Sequence, residues 1–459
     1  MSGDSASKQA STNNSSGGGE PELPIDSSTD ATTDTTKAYA NPYYRYLVLG
    51  ILTSVYVSSF IDRQVISILA EPIIEDLQLS DTQFGILSGF AFALIYATMG
   101  IPIARLADIG NRRNIVAIAV TVWSVMTALS GFAQNFTQLF LARVGVGLGQ
   151  AGGSPPSHSI VSDIFPPEQR ATALSIYSLG VYGGRLLSVL GGAYLLQWFD
   201  WRVVFIVVGL PGVFMGVIVR LVIKEPPRGM TEQREDVAAP TFREVLSLLW
   251  SRKSFRHLSF ACGLHAVVTY GTSGFMPLFL RRIHDMPMLD VGLIYGLVMG
   301  IGGLIGTFGG GWLSDRLANS RDDQRWYMWV PMITTLFAIP PALAALLLMD
   351  SGTAASLMWF GTVFGAGFYL APSIAMSHGL VGLRMRATAS AILFFMINII
   401  GLGFGPLITG FLSDWLTPQF GDEALRYALA LIVLVNFWCA AHFYLASRSI
   451  RDDLSKAPA

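Results

Sequence analysis

The sequence predicts an all-α integral membrane protein with twelve transmembrane helices arranged in two pseudo-symmetric halves of six. Composition is the first observation: 52% of the 459 residues are hydrophobic and 13% are charged, whereas soluble globular domains have about 25% charged residues. The second is a series of apolar runs, each about 20 residues or longer, which suits a hydrocarbon core roughly 30 Å thick. The third is a set of short sequences that occurs in both halves of the chain.

The apolar runs follow one another along most of the chain. They lie at approximately 46–70, 83–105, 114–133, 137–163, 171–197, 202–223, 257–281, 290–314, 327–349, 354–378, 388–413 and 424–446. The predicted domains are a disordered cytoplasmic tail, a first half, a cytoplasmic linker, a second half and a second tail, at 1–42, 43–223, 224–256, 257–447 and 448–459. The linker is charged and contains proline, and it predicts a short helix near 241–250.

The repeated sequences indicate an internal duplication. QRATALSI at 169–176 matches MRATASAI at 385–392, and GIPIARLADIGNRR at 100–113 has a counterpart in GGGWLSDRL at 309–317. Transporters built from such repeats bind their substrate near the membrane midplane, between halves that rock against each other. Candidate site residues are therefore expected at midplane depth.

The distribution of charge predicts the orientation. Segments that join even-numbered spans to the next odd-numbered span carry the basic residues Arg112, Arg113, Arg170, Lys224, Arg228, Arg252, Lys253, Arg256, Arg321, Arg325, Arg384 and Arg386. The link after the first span carries four acidic residues and no Lys or Arg. Because cytoplasmic loops are enriched in Lys and Arg, both termini are expected in the cytoplasm of a plasma (inner) membrane protein.

Several functional classes are disfavoured. The net charge of −1 offers no basic field for nucleic acid, and the six histidines are scattered without metal-ligand spacing. Cys262 and Cys439 both lie inside spans, which predicts packing rather than a disulfide. No Walker motif and no nucleophile–base pair can be identified, so we predict neither ATP hydrolysis nor an enzyme. We predict a monomer without metal or cofactor.

The first span contains adjacent charges in SVYVSSFIDRQVISILAEP, residues 54–72. A charge at the bilayer centre costs about 2.5–3.5 kcal/mol or more, and Asp62 lies ten residues from Pro72, hence roughly 15 Å from the outer end. Asp62 is the candidate for taking up and releasing a proton, since burial and neighbouring charge together tune a carboxylate. Arg63 is the candidate for binding an anionic head group, because its planar donors suit phosphate or carboxylate.

Three further polar residues fall at similar depth in the first half. Arg143 and Gln150 on the fourth span lie roughly 9 and 20 Å from the outside, and Arg185 lies near the middle of the fifth. We predict that Arg143 supports the site and that Arg185 contacts substrate or Asp62. In the second half, His265 is a candidate second proton or substrate site, with a structural helix contact as the alternative.

These motifs resemble the major facilitator superfamily. Gly100, Asp108, Gly110, Arg112 and Arg113 are similar to its G-x-x-x-D-R-x-G-R-R loop signature, with Ile109 replacing a basic residue. Asp315 and Arg316, within 309–317, resemble the second copy of that loop signature. The resemblance implies a cytoplasmic gate formed by Asp108, Arg112, Arg113, Asp315 and Arg316, which closes the inner side in the outward-open state.

Within that superfamily, FIDRQVISIL and the Gly-rich fourth span most resemble the spinster-type lipid transporters. Those sequences have glutamate where this chain has Gln150, so an ionisable group is absent from the family's coupling position. The expectation is a proton-coupled secondary transporter that moves a lipid-like or amphipathic anionic substrate by alternating access. The alternatives are a symporter of a small organic anion, a drug/proton antiporter or, more remotely, a non-transporting receptor.

Overall fold

The fold is a bundle of long helices, as the sequence predicts, in a computed structural model that describes residues 36–231, 241–382 and 385–457. No strand occurs among these residues. The helices form twelve spans, numbered in chain order: Pro42–Ile68, 81–109, Arg112–Ser130, 136–164, Pro167–Leu195, Trp201–Val222, Lys253–Arg282, Met288–Arg321, Trp326–Leu347, Gly352–Gly379, 386–420 and Ala424–Ser455. Shorter helices lie at Ala70–Leu77 and Phe242–Ser251.

Hydropathy separates two spans from the others. Nine helical stretches in the described ranges are long and apolar enough to cross a membrane, and one of them, Thr388–Ser455, contains both span 11 and span 12. Spans 4 and 7 lie outside these stretches. Their interiors carry buried polar side chains, including Arg143 and Gln150 in span 4 and His265 in span 7. The two least apolar spans therefore hold candidate site residues.

Local sequence explains where several helices begin. Ser80 forms a capping box with Gln83 at the start of span 2, each side chain bonding to the other residue's backbone N–H. Other spans begin after residues whose side chains accept a hydrogen bond from the first turn, namely Asn41, Asn111, Asn135, Asp200 and Ser351. Such caps satisfy backbone donors that the helix leaves unpaired.

The packing repeats between the halves. Span 1 packs against span 5 and span 3 against span 6, as span 7 packs against span 11 and span 9 against span 12. Spans 2 and 8 each contain a π-helical turn close to their first residues, at Ile86–Phe90 and Val291–Tyr295. This correspondence agrees with the duplication inferred from the repeated sequences.

The described bounds differ in places from the predicted domain limits. Span 7 begins at Lys253, inside the predicted linker 224–256, and span 12 continues to Ser455, beyond 447. The predicted tail 1–42 lies outside the described residues as far as residue 35. The inner and outer sides of the molecule are those that the loop charges predict to be cytoplasmic and external.

Candidate functional site

Asp62 is fully buried in span 1 and faces span 3. The Ser58 hydroxyl lies 3.4 Å from one carboxyl oxygen of Asp62. The other oxygen is buried and has no hydrogen-bond partner among the described residues. Trp123 and Thr127 lie beside the carboxyl group, and their indole N–H and hydroxyl also lack a well-aligned partner in the described structure. Asp62 thus lies in a polar cluster whose hydrogen-bonding capacity is incompletely used.

Arg63 is enclosed rather than open to a ligand in this conformation. Its Nε and Nη2 donate to Gln150 Oε1 at 3.3 and 3.0 Å. Its guanidinium carbon lies 4.9, 4.4 and 5.0 Å from the ring centroids of Phe60, Phe92 and Tyr96. These contacts combine a hydrogen-bond acceptor with cation–π attraction. The predicted head-group role of Arg63 would require it to leave some of these contacts.

Hydrogen bonds join span 4 to span 1 next to Asp62 and Arg63. Arg143, which is fully buried, donates to the backbone carbonyls of Asp62 and Arg63 at 3.0 and 3.2 Å. Gln150 donates through Nε2 to the carbonyl of Ser59 at 2.9 Å. Arg143 and Gln150 therefore position the backbone that carries both charges. The predicted supporting role of Arg143 stays a prediction, but its contacts suit that role.

Arg185 is a cation at midplane depth that has no acceptor among the described residues. No hydrogen bond or ion pair joins its guanidinium to any described residue, and its Nε is buried without a partner. The ring of Phe60 lies 5.8 Å from its guanidinium carbon. Tyr295 of the second half lies within electrostatic range of the Arg185 guanidinium. The Tyr295 hydroxyl is also buried without a hydrogen-bond partner in the described structure. Arg185 is half-buried at membrane depth, where a cation without an anionic partner is unfavourable, so this place suits a negatively charged ligand.

His265 lies in the interior of the second half. Its Nε2 is 3.0 Å from the carbonyl of Ala366, and Nδ1 is 3.4 Å from the Thr335 hydroxyl. Its ring is 4.2 Å from that of Tyr369. The carbonyl accepts only from an N–H, so Nε2 carries a proton in this arrangement. The geometry resembles the structural helix contact that was the alternative for this residue, and its substrate role stays a prediction.

A narrow space between the halves adjoins the buried charges. The first half lines it with Arg63, Gln64, Ser67 and Ser88, and the second half lines it with Tyr270, Ser273, Gly274, Leu402 and Pro406. The second half contributes hydroxyl groups and apolar surface here, and no charge. Sequence reasoning missed Tyr270 and Tyr295; tyrosines within otherwise apolar spans were the available signal.

The predicted inner gate residues contact their own halves. Arg112 bonds Asp163 and Ser159 in the first half and Glu225 at the start of the linker. The backbone N–H of Arg113 donates to Glu225 as well. In the second half, Tyr327 donates to Asp315 at 2.6 Å, and Arg316 lies over the ring of Trp312. The side chain of Asp108 is outside the described structure. The gate stays a prediction, since no described contact of these residues crosses between the halves.

The ion pairs that do join the halves, among the described residues, lie on the outer side. Arg282 at the end of span 7 holds both carboxyl oxygens of Asp81 at 2.9 and 3.0 Å. Ser413 donates to the same carboxylate at 2.6 Å. In return, Asp414 accepts from the backbone N–H groups of Asp81 and Thr82 at 3.1 and 2.8 Å. We call Asp81, Arg282, Ser413 and Asp414 the outer latch.

A second pair reinforces the outer latch, with Arg281 donating to Glu71 at 2.6 Å. Asp81 is 6% exposed, which makes its bidentate pair partly shielded from water. Sequence reasoning missed the latch, because it treated the acidic residues after span 1 only as indicators of orientation. The outer side is closed in this conformation.

No group of three or more metal-ligating side chains occurs among the described residues.

Comparison with known proteins agrees with this architecture. Residues 52–402 match the family model of the Major Facilitator Superfamily. The chain is 36% identical over 421 residues to an MFS-type efflux pump of Mycolicibacterium smegmatis, covering 90% of this chain and 95% of that protein. It is 26% identical over 443 residues to protein spinster homolog 1 of Homo sapiens, covering 90% of this chain and 82% of that one.

A solved structure shows the same fold. It is a bacterial homologue of the human lysosomal transporter spinster, in an inward-facing and unoccupied conformation, with a TM-score of 0.83 and 33% identity over 90% of this chain and 99% of that chain. The predicted spinster resemblance is confirmed, and the closed outer side agrees with an inward-facing arrangement. The chain belongs to the Major Facilitator Superfamily of transporters and is an integral, multi-pass membrane protein similar to spinster.

Proposed function

We propose that the protein transports an amphipathic anion, lipid-like in character, by alternating access coupled to protons. Its orientation would place both termini in the cytoplasm, as the loop charges predict. The observation that carries the proposal is Arg185, a half-buried midmembrane cation that has no acceptor among the described residues and lies near Phe60 of the first half and Tyr295 of the second. An anionic head group supplies the missing charge, and the apolar residues Leu402 and Pro406 offer surface to an acyl chain.

Asp62 is the proposed proton carrier. It is fully buried, has one unpartnered oxygen and does not form an ion pair with any described cation. The backbone carbonyls of Asp62 and Arg63 accept hydrogen bonds from Arg143. A change in protonation at Asp62 would therefore act on the segment that also carries Arg63. Proton binding and the release of Arg63 toward substrate would thereby be linked.

The test is uptake into proteoliposomes that contain the purified protein, with and without an imposed pH gradient. Anionic lysophospholipids and long-chain fatty acids should accumulate, whereas a neutral monoacylglycerol of the same chain length should not. Accumulation of a small organic anion together with no response to any acyl compound would refute the amphipathic substrate. An anionic substrate that moves at the same rate regardless of the gradient would refute proton coupling alone.

Arg185→Gln is expected to weaken binding of an anionic lysophospholipid by about tenfold to a hundredfold. Hydrogen bonds to charged groups contribute about 1.5–3 kcal/mol, and each 1.4 kcal/mol is tenfold in affinity. Equilibrium binding in detergent measures the change. Arg321→Gln, which removes a cation from the inner end of span 8, is the matched control and should bind like the parent. Equal affinities for the Arg185 variant and the parent would remove Arg185 from the site.

Gln150→Glu is expected to make transport depend on pH in a new way. The amide accepts from Arg63 and donates to the carbonyl of Ser59, and a protonated carboxyl group can do both. An ionised carboxyl group keeps the Arg63 contact but turns an acceptor toward the Ser59 carbonyl. Gln150 thus imitates a permanently protonated glutamate.

The pH profile of uptake measures this effect, from mildly acidic to mildly basic buffer. Gln138→Glu, at the exposed outer start of the same span, should leave the profile unchanged. If Gln150→Glu and the parent have superimposable profiles, residue 150 does not participate in coupling.

Drug efflux is a second candidate, favoured by the 36% identity to an MFS-type efflux pump. The unpartnered Arg185 disfavours cationic compounds and favours anionic or zwitterionic amphipaths. Efflux of an anionic amphipath would satisfy both observations, and everted vesicles would reveal it by the direction of movement.

A further inference from the structure

A cluster of basic side chains lies away from the narrow space between the halves, on the inner part of spans 7 and 12. His257 in span 7 and His442 in span 12 approach each other, with their Nδ1 atoms 3.1 Å apart. One of these nitrogens must donate and the other accept. Neither ring forms a hydrogen bond to another described residue, so the Nε2 atom of each ring is available to a ligand. Both side chains are partly exposed.

Two unpaired cations adjoin the histidines. Arg256 precedes His257 and acts on it electrostatically. Lys253 is exposed and lies one helical turn before His257, hence on the same face. Neither cation forms an ion pair with a described residue. The nearby acid Asp453 is already engaged, because it accepts from the backbone N–H and the hydroxyl of Ser254 at 2.8 and 2.7 Å.

Exposed aromatic rings border this cluster of basic side chains. The rings of Phe260 and Trp438 lie 5.7 and 6.1 Å from that of His442. Trp250, on the short helix Phe242–Ser251, lies 6.4 Å from Phe260. Trp438 is 61% exposed, although the chain spans a membrane. Exposed tryptophans in membrane proteins concentrate at head-group depth.

We propose that the surface of spans 7 and 12 that carries Lys253, Arg256, His257 and His442 binds the phosphate of an anionic phospholipid of the inner leaflet. Imidazole N–H, guanidinium and ammonium groups are strong donors to phosphate oxygens. Basic pockets between transmembrane helices on the cytoplasmic side bind such head groups. The aromatic rings would contact the glycerol and upper acyl region. A bound lipid would thus bridge two spans of the second half, at a place distinct from the transported substrate.

A lipid is a better occupant than a soluble phosphate for a geometric reason. The cations and the exposed rings occupy one side of the same two helices, so a ligand that satisfies both must carry a charge next to apolar chains. The short helix Phe242–Ser251 begins with a capping box and buries only Val245 and Leu249. It borders the cluster through the contact of Trp250 with Phe260, and its exposed side chains suit contact with head groups.

The test combines native mass spectrometry with thermal unfolding of the purified full-length protein. Phosphatidylglycerol should be retained through delipidation, and it should raise the melting temperature above that in phosphatidylcholine. Arg256→Gln combined with His442→Gln should reduce phosphatidylglycerol affinity by about tenfold or more. Arg321→Gln, on the inner side but in span 8, should retain parental affinity. The melting temperature of each variant in phosphatidylcholine verifies that it is folded.

Three results would overturn the proposal. The first is equal phosphatidylglycerol retention by the double variant and the parent. The second is equal loss in the Arg321 control, which would mean that net charge alone recruits the lipid. The third is protection by inorganic phosphate equal to that by phosphatidylglycerol, which would identify a site for free anions. If the double variant is unfolded in phosphatidylcholine, Lys253→Gln with His442→Asn replaces it, since Lys253 is exposed, and undiminished lipid affinity in that variant likewise refutes the site.

Discussion

Asp62→Asn is expected to abolish proton-driven accumulation of substrate, so that the inside-to-outside ratio falls to about one even with an imposed pH gradient. The asparagine amide has nearly the shape of the carboxyl group and can still accept from Ser58, but it cannot take up a proton. The Arg143 contacts go to the backbone and survive the change. Substrate binding should therefore remain within a few-fold of the parent.

This result would separate coupling from architecture. Proteoliposome uptake measures accumulation, and counterflow without a gradient measures whether the halves still alternate. Asp350→Asn, which removes an exposed acid on the outer side, should behave as the parent in both assays. If Asp62→Asn accumulates substrate normally, the proton binds elsewhere and Asp62 serves helix packing. If counterflow is lost as well, Asp62 is required for the conformational change itself.

The sequence predicted the spans and the depth of the buried charges, because both are local properties. Hydropathy depends on consecutive residues, and depth follows from helical rise. The sequence did not predict the direction in which each side chain faces around its helix. For this reason Arg63 was expected to be open to ligand, whereas Gln150 and three aromatic rings enclose it. The sequence predicted Arg185 at midplane depth as a contact of substrate or Asp62, but the absence of an acceptor for it among the described residues depends on how the helices pack.

The outer latch could not be predicted from the sequence, for a different reason. Asp81 meets Arg282 and Asp414 across the two halves, at sequence separations of 201 and 333 residues. No local pattern fixes the register between halves that move relative to each other. Even the duplication is uninformative here, since it relates each half to the other by symmetry and does not state which surfaces touch in one conformation. The inner gate, by contrast, came from a motif, and the described contacts of that motif lie within each half.

Adding one methyl group between the halves is expected to open the outer side. Gly85 in span 2 lies against span 11 so closely that a Cβ at this position would be 2.3 Å from the carbonyl oxygen of Pro406. A Cβ on Gly410 would be 2.1 Å from the carbonyl oxygen of Asp81, inside the outer latch. Both obstacles are backbone atoms, which cannot turn aside as a side chain can. Relief therefore requires spans 2 and 11 to separate.

Gly85→Ala should accordingly shift the population toward the outward-open state. Overpacking costs about 1–3 kcal/mol, and a difference of that size changes a two-state ratio by roughly 5- to 150-fold. Spin labels on cysteines introduced at Glu75 and Gln419, both exposed on the outer side, would report a longer distance by pulsed electron resonance. Gly191→Ala on span 5, where an added Cβ meets nothing within 4 Å, should give the parental distance.

The same substitution distinguishes a moving interface from a fixed one. If the contact between spans 2 and 11 exists only while the outer side is closed, the methyl group penalises that state alone, and the folded protein survives with altered transport. If the contact is permanent, the added methyl group clashes in both conformations. Gly85→Ala should then lower the melting temperature without lengthening the distance between the two spin labels. Asp81→Asn provides an independent measure, because it weakens the pair with Arg282 without adding volume. A longer distance in both variants would assign the outer latch to the alternating-access cycle, whereas an unchanged distance in both would exclude it from that cycle.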